Sequence, residues 1–154
     1  RFDEYELRLY EAPPSDPVAT FGDLLAARFT PLDTPSRGDR VLTLNLWWDV
    51  LDAPTLDYSY GLHLRPVDAG TISQQDAALV STDGVPTSGG RPGPYPVHTQ
   101  IAFTVPTGLE PGDYGLWLTV YHFQDAPGGL GVSGVSVPQQ DTFIQVGTIT
   151  IGGG

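Results

Sequence analysis

Apolar and polar residues alternate in short runs along most of the chain. In "RVLTLNLWW" (40 to 48), Leu42, Leu44, Leu46 and Trp48 share one face, with Val41, Thr43, Asn45 and Trp47 on the other, because successive strand side chains point to opposite sides. "DYSYGLHLR" (57 to 65) sets Tyr58, Tyr60, Leu62 and Leu64 inward and Ser59, Gly61, His63 and Arg65 outward. "VHTQIAFTV" (97 to 105) and "FIQVGTITI" (143 to 151) repeat the pattern, and the short, polar "GTISQQD" (70 to 76) reads as an edge strand. "TFGDLLAARF" (20 to 29) is expected to form one strand with a bulge. "EYELRLY" (4 to 10) alternates Tyr5, Leu7 and Leu9 against Glu4, Glu6 and Arg8, and the stiff spacer "EAPPSDP" follows it. The chain therefore divides into an N-terminal strand and Pro-rich spacer (1 to 17) and one domain (18 to 154). "DGVPTSGGRPGPYP" (83 to 96) holds too many turn formers to be anything but loop.

The richest stretch is "GLEPGDYGLWLTVYHF" (108 to 123), where both faces of the expected strand are apolar. Tyr114, Leu116, Leu118 and Val120 share one face, and Trp117, Thr119, Tyr121 and Phe123 the other. Leu109, Gly112 and Tyr114 read as a tyrosine corner, in which a Tyr at a strand start bonds back to the preceding connection of a Greek-key sandwich. That assignment pairs the strand with residues 57 to 65. The fold class is then an all-β sandwich of seven to eight strands joined by Pro/Gly turns. Composition agrees, since 19 Gly and 15 Pro are scattered between the apolar runs.

The chain's 154 residues suit one domain with a real core. Cys is absent, which excludes disulfides and thiolate metal sites. The net charge of −11, with only 7 Lys and Arg, disfavours nucleic acid as a partner. No run approaches the roughly 18 apolar residues of a membrane span, so no membrane insertion by these residues is expected. The chain begins with Arg1 and has no Met, as a processed chain or a piece of a longer one would.

No catalytic signature stands out, and the expectation is a protein that is not an enzyme and needs neither metal nor cofactor. His63, His98 and His122 lack a metal-ligand spacing. The 18 carboxylates read as a solvated acidic surface rather than a glycosidase pair. No serine lies in G-x-S-x-G and no loop matches a calcium pattern.

The outward aromatics carry the strongest lead. With 57 to 65 beside 113 to 123, one outer face would hold His63 and Arg65 beside Trp117 and Tyr121, with Gly61 leaving room for a ring to lie flat. Trp117 and Tyr121, read as about 7 Å apart along the strand, would offer a stacking platform for a glycan. Protein cover, such as a fold-over of "QDAPGGLGVSG" (124 to 134), weighs about twice as much as a ligand in this reading.

The order of motifs adds a resemblance. A strand ending in Trp48 is followed by "DYSYGLHL", by Gly70 leading to Asp76, by "PTS" and "RPG", by a strand closing at Pro106, and by "LEPGDYGLWLTVY". From about Phe21 to Ile151 this resembles the immunoglobulin-like Greek-key β-sandwich at the extracytoplasmic C-terminal end of bacterial polytopic membrane glycosyltransferases and related surface proteins. The resemblance implies a cell-surface location and a non-catalytic accessory role, to which the outward aromatics add the expectation of weak glycan binding. The alternative is a structural subunit of a surface filament or layer, in which residues 4 to 10 reach a neighbouring protein by strand exchange.

Overall fold

The computed structural model describes residues 13 to 152. In chain order the strands are β1 (Ala19–Phe21), β2 (Leu25–Arg28), β3 (Leu32–Ser36), β4 (Val41–Val50), β5 (Ser59–Pro66), β6 (Ser73–Ala78), β7 (Val97–Thr104), β8 (Gly112–Tyr121), β9 (Val132–Ser133), β10 (Gln139–Gln140) and β11 (Phe143–Ile151), with one 3₁₀ turn at Thr87–Gly89. One sheet runs β7-β4-β2-β1-β9; the other runs β10-β11-β8-β5-β6, with β3 added in parallel to β11. Consecutive strands change sheets, as β4 to β5 and β7 to β8 do. The fold is an all-β, immunoglobulin-like Greek-key sandwich.

The inward positions follow the alternation. Leu42, Leu44, Leu46 and Trp48 from β4, Ile101 and Phe103 from β7, Tyr60, Leu62 and Leu64 from β5, and Leu116, Leu118 and Val120 from β8 are all buried in one core. Leu62 faces Leu118 and Leu64 faces Leu116 across the β5–β8 ladder. Each such side chain contributes roughly 1.5 to 3 kcal/mol through burial. Trp47, on the opposite face of β4, is also buried, with its indole stacked on His98 at 4.8 Å between ring centroids.

Three features depart from the alternation reading. Residues 20 to 29 do not form one bulged strand. Gly22 and Asp23 take φ of 59° and 56°, Leu24 N–H donates to the Phe21 carbonyl, and the chain reverses into the β1–β2 hairpin. Two successive positive φ values make the tight turn that twisted hairpins favour. Secondly, eleven strands occupy the described residues, against seven or eight expected. The additions are the split at Gly22 and the short strands β3, β9 and β10. Thirdly, Phe123 lies beyond the end of β8 and is 73% exposed, its ring beside His122 rather than on the outer face of the sheet.

The open side of β7 is partly tied. Thr82 N–H donates to the His98 carbonyl and Gln75 Nε2 to the Ala102 carbonyl, both at 2.9 Å. Such ties blunt a sheet edge against pairing with another strand. Residues 4 to 10, expected to form a strand, lie outside the described residues, while the end of the spacer is held by Arg28, whose Nη1 donates to the Ser15 carbonyl at 2.8 Å.

Candidate functional site

The expected pairing of β5 with β8 sets His63 opposite Trp117, Arg65 opposite Gly115, and Ser59 opposite Tyr121. All four candidate side chains, His63, Arg65, Trp117 and Tyr121, belong to the outer face and are half-buried. They do not form one strip. Trp117 and Tyr121 are four residues apart, so the rise of a strand separates them by roughly 13 Å rather than 7 Å. Thr119 stands between them and is buried.

Thr119 is buried because the 124 to 134 loop folds back here. Leu130 N–H donates to the Val120 carbonyl at 2.7 Å, and the Thr142 hydroxyl donates to the Gly128 carbonyl at 2.7 Å. The Gly129 backbone then packs against the Thr119 and Thr142 hydroxyls, where any Cβ would collide. The loop thus covers the Thr119 end of the face and leaves Trp117 half-exposed.

The Trp117 indole packs closely against Gly115, while the space at Gly61 is shared by Asp76, Thr119 and the edge of the His63 ring, whose Nε2 lies 3.7 Å from the Cβ position. A Cβ on Gly115 would lie 2.7 Å from Trp117 Nε1 and 2.9 Å from Gln145 Nε2, so the indole rests on the Gly115 backbone. A Cβ on Gly61 would instead lie 2.9 Å from Asp76 Oδ1 and 3.3 Å from Thr119 Cγ2. Gly61 thus makes space first for a carboxylate and a methyl group, with the imidazole at ordinary contact distance.

A second ring, Phe143, joins the cluster from β11. Its centroid lies 4.6 Å from that of His63, and the Arg65 guanidinium sits 4.5 Å above it and 5.7 Å from the Trp117 ring. Two cation–π contacts of this kind hold a planar cation flat. The fork is fixed at both ends, with Nε donating to Thr71 Oγ1 at 3.0 Å and Nη1 to Gln140 Oε1 at 2.6 Å. Arg65 therefore lies against both rings, closer to Phe143 than to Trp117, and Trp117 keeps a half-exposed surface beside it.

The hydrogen bonds assign the histidine tautomer. Arg65 can only donate, and its Nη2 lies 3.5 Å from His63 Nδ1, so Nδ1 is the acceptor there, and the Thr71 hydroxyl, which accepts from Arg65 Nε, turns its own hydrogen to Nδ1, 2.9 Å away. The neutral ring then carries its proton on Nε2. Burial lowers the His63 pKa, Arg65 adds to the lowering, and Asp76 opposes it. Burial also lowers the Arg65 pKa, with Asp141 opposing, and raises that of Tyr121, with Asp76 adding to the rise.

Sequence reasoning missed Phe143, Thr71 and Gln140. The phase of "FIQV", with Ile144 and Val146 buried, was the available signal for Phe143. Thr71 and Gln140 sit in a turn and a two-residue strand, and no periodicity marks them. Among the described residues no group of three or more His, Asp or Glu is placed to hold a metal ion. No helix among them is long and apolar enough to cross a membrane. Compared with protein-family models and with curated proteins, the chain matches none.

Proposed function

We propose that the chain is a non-catalytic, extracytoplasmic accessory module of a membrane glycosyltransferase-type or surface protein, with weak affinity for glycans. The observation that carries the reading is the Trp117 indole, which packs against Gly115 and is only half-buried. The part of the ring that Arg65 and Gly115 do not cover offers a π-surface to solvent. The His63 Nε2–H and the remaining N–H groups of Arg65 stand at its margin as donors for sugar hydroxyls.

One ring with a few donors is a small platform, and the affinity follows from that. A dissociation constant near millimolar corresponds to about −4 kcal/mol. A titration of tryptophan fluorescence with bacterial surface oligosaccharides tests it. Saturable change in the millimolar range supports the reading; no change at tens of millimolar, on the order of ten times the expected constant, refutes it.

The reading as a filament or layer subunit depends on residues 4 to 10, which lie outside the described residues. A neighbour's strand would meet a β7 edge already tied at His98 and Ala102. The glycan-binding module is the better supported of the two.

A further inference from the structure

We propose, resting on the glycan-binding reading, that Asp76 and Gly61 form a polar subsite beside Trp117 and make the face selective for neutral over acidic glycans. The Asp76 carboxylate takes the hydrogen of one sugar hydroxyl, and that hydroxyl's oxygen accepts from the His63 ring. Across the β5–β6 and β5–β8 ladders, Gly61 lies between Asp76 and Thr119, in the row next to His63 and Trp117. Two polar atoms lean over the missing side chain. Asp76 Oδ1 lies 2.9 Å and His63 Nε2 3.7 Å from where a Cβ on Gly61 would stand, and the Thr119 methyl closes a third side at 3.3 Å.

Both atoms lack a partner and both reach solvent. The other carboxylate oxygen, Oδ2, accepts from Gln74 Nε2 at 2.7 Å, which leaves Oδ1 without a hydrogen bond among the described residues. The His63 ring bonds through Nδ1, so its Nε2–H is likewise unused. Asp76 is exposed, and Trp48 Nε1 is the one fully buried, unpaired side-chain polar atom among the described residues, so His63 Nε2 touches water. A donor and an acceptor facing one gap suit a hydroxyl, which can both give and take a hydrogen bond. Contacts of about 2.7 Å to the carboxylate and about 2.9 Å from the imidazole set it above Gly61.

Stacking on Trp117 supplies what a water at this place does not have. Trp117 is a diagonal neighbour of Gly61 on the ladder, roughly 7 to 8 Å away, and its indole leans toward Gly115. Adjoining units of one glycan chain therefore reach both positions. Charge then selects the glycan. Asp76 opposes the lowering that burial and Arg65 impose on the His63 pKa and adds to the rise that burial imposes on Tyr121, while Asp141 acts on Arg65. With His63 neutral near pH 7, two carboxylates bear on the site against one guanidinium, and that guanidinium is already held by Thr71, Gln140 and Phe143. A hydroxyl gains a charge-assisted bond to Asp76, whereas a sugar carboxylate meets like charge.

The probes are tetrasaccharides of glucose, mannose and galactose, with the galacturonic acid tetramer as the acidic counterpart. The readouts are the Trp117 indole N–H and the Gly61 amide in ¹H–¹⁵N spectra. At least one neutral tetramer is expected to move both signals with a common midpoint, and the uronate to bind about threefold more weakly or worse, the scale of one partly screened charge contact. Asp76→Ala, at an exposed position of an edge strand, is expected to weaken neutral binding about tenfold, as loss of one hydrogen bond to a charged group would. Asp76→Asn keeps an acceptor oxygen without the charge and is expected to bring the galactose and galacturonate tetramers to equal affinity. Should Asp76→Ala not fold, that ratio decides alone. Unchanged neutral binding in Asp76→Ala, a Gly61 amide that stays fixed while Trp117 moves, or a uronate bound by wild type as tightly as its neutral counterpart overturns the proposal and leaves the glycan reading standing. A Trp117 signal fixed with every tetramer overturns both.

Discussion

The Tyr114 hydroxyl donates to the Glu110 carbonyl at 2.6 Å, closing the connection that leads into β8. Tyr114 is 6% exposed, so the bond is shielded from water and fixes where β8 begins. Tyr114→Phe keeps the ring and leaves the carbonyl without this donor. The expected cost is about 1 to 2 kcal/mol in chemical denaturation. An unchanged midpoint would contradict a structural role for the corner.

Gly115→Ala tests the seat of the indole. Alanine is ordinarily the better strand residue, yet its Cβ would press on Trp117 Nε1 and Gln145 Nε2. Gln145 Nε2 ends a flexible side chain and the half-exposed indole can swing as a unit, so the ring is expected to lift into water at a cost of about 1 kcal/mol. Tryptophan emission should shift to the red. A stabilised variant with unchanged emission would show that the ring does not rest there.

Arg65→Lys is expected to behave as a loss rather than a conservative change. Lysine keeps the charge but lacks the planar fork that reaches Thr71 and Gln140 while lying over Phe143. The expected destabilisation is about 0.5 to 1 kcal/mol, the scale of an exposed cation–π contact. Full retention of stability by lysine would reduce Arg65 to a simple point charge.

The histidine gives a pH dependence with a definite sign. The folded pKa of His63 lies below its ordinary value, burial being the largest cause. The folded state thus binds fewer protons than the unfolded chain, and its contribution to stability is present above the unfolded value of about 6.5. It is lost as the pH falls through that value toward the folded pKa. Wild type should therefore lose more stability than His63→Gln between about pH 7 and pH 5. Parallel pH profiles would contradict the tautomer and the packing assigned here.

Strand alternation carried the core, because a half-buried strand must place every second side chain inward, and the tyrosine corner at Tyr114 carried the pairing of β5 with β8. Tyr114 was legible for a similar reason, since a turn followed by tyrosine at a strand start has few other geometries. The remaining parts depend on contacts distant in sequence. β3 contains Pro35 and pairs in parallel with β11, so it has neither a clean alternation nor a hairpin turn to announce it. Gln140 reaches Arg65 across 75 positions. The Gly22–Asp23 reversal was missed because the apolar residues on both sides of it suit one continuous strand as well as the two of a hairpin. The outer face failed in its spacing, because side chains four positions apart are twice as far from one another as neighbours on the same face.

If the Trp117 indole meets a sugar ring, as proposed, its own N–H resonance reports the contact. During titration with bacterial surface oligosaccharides, the account expects that signal to move saturably with a midpoint near millimolar, a binding free energy of about −4 kcal/mol. The Trp48 signal, from the buried core, should stay in place. A Trp117 signal that remains fixed at tens of millimolar, about ten times the expected constant, would contradict the account.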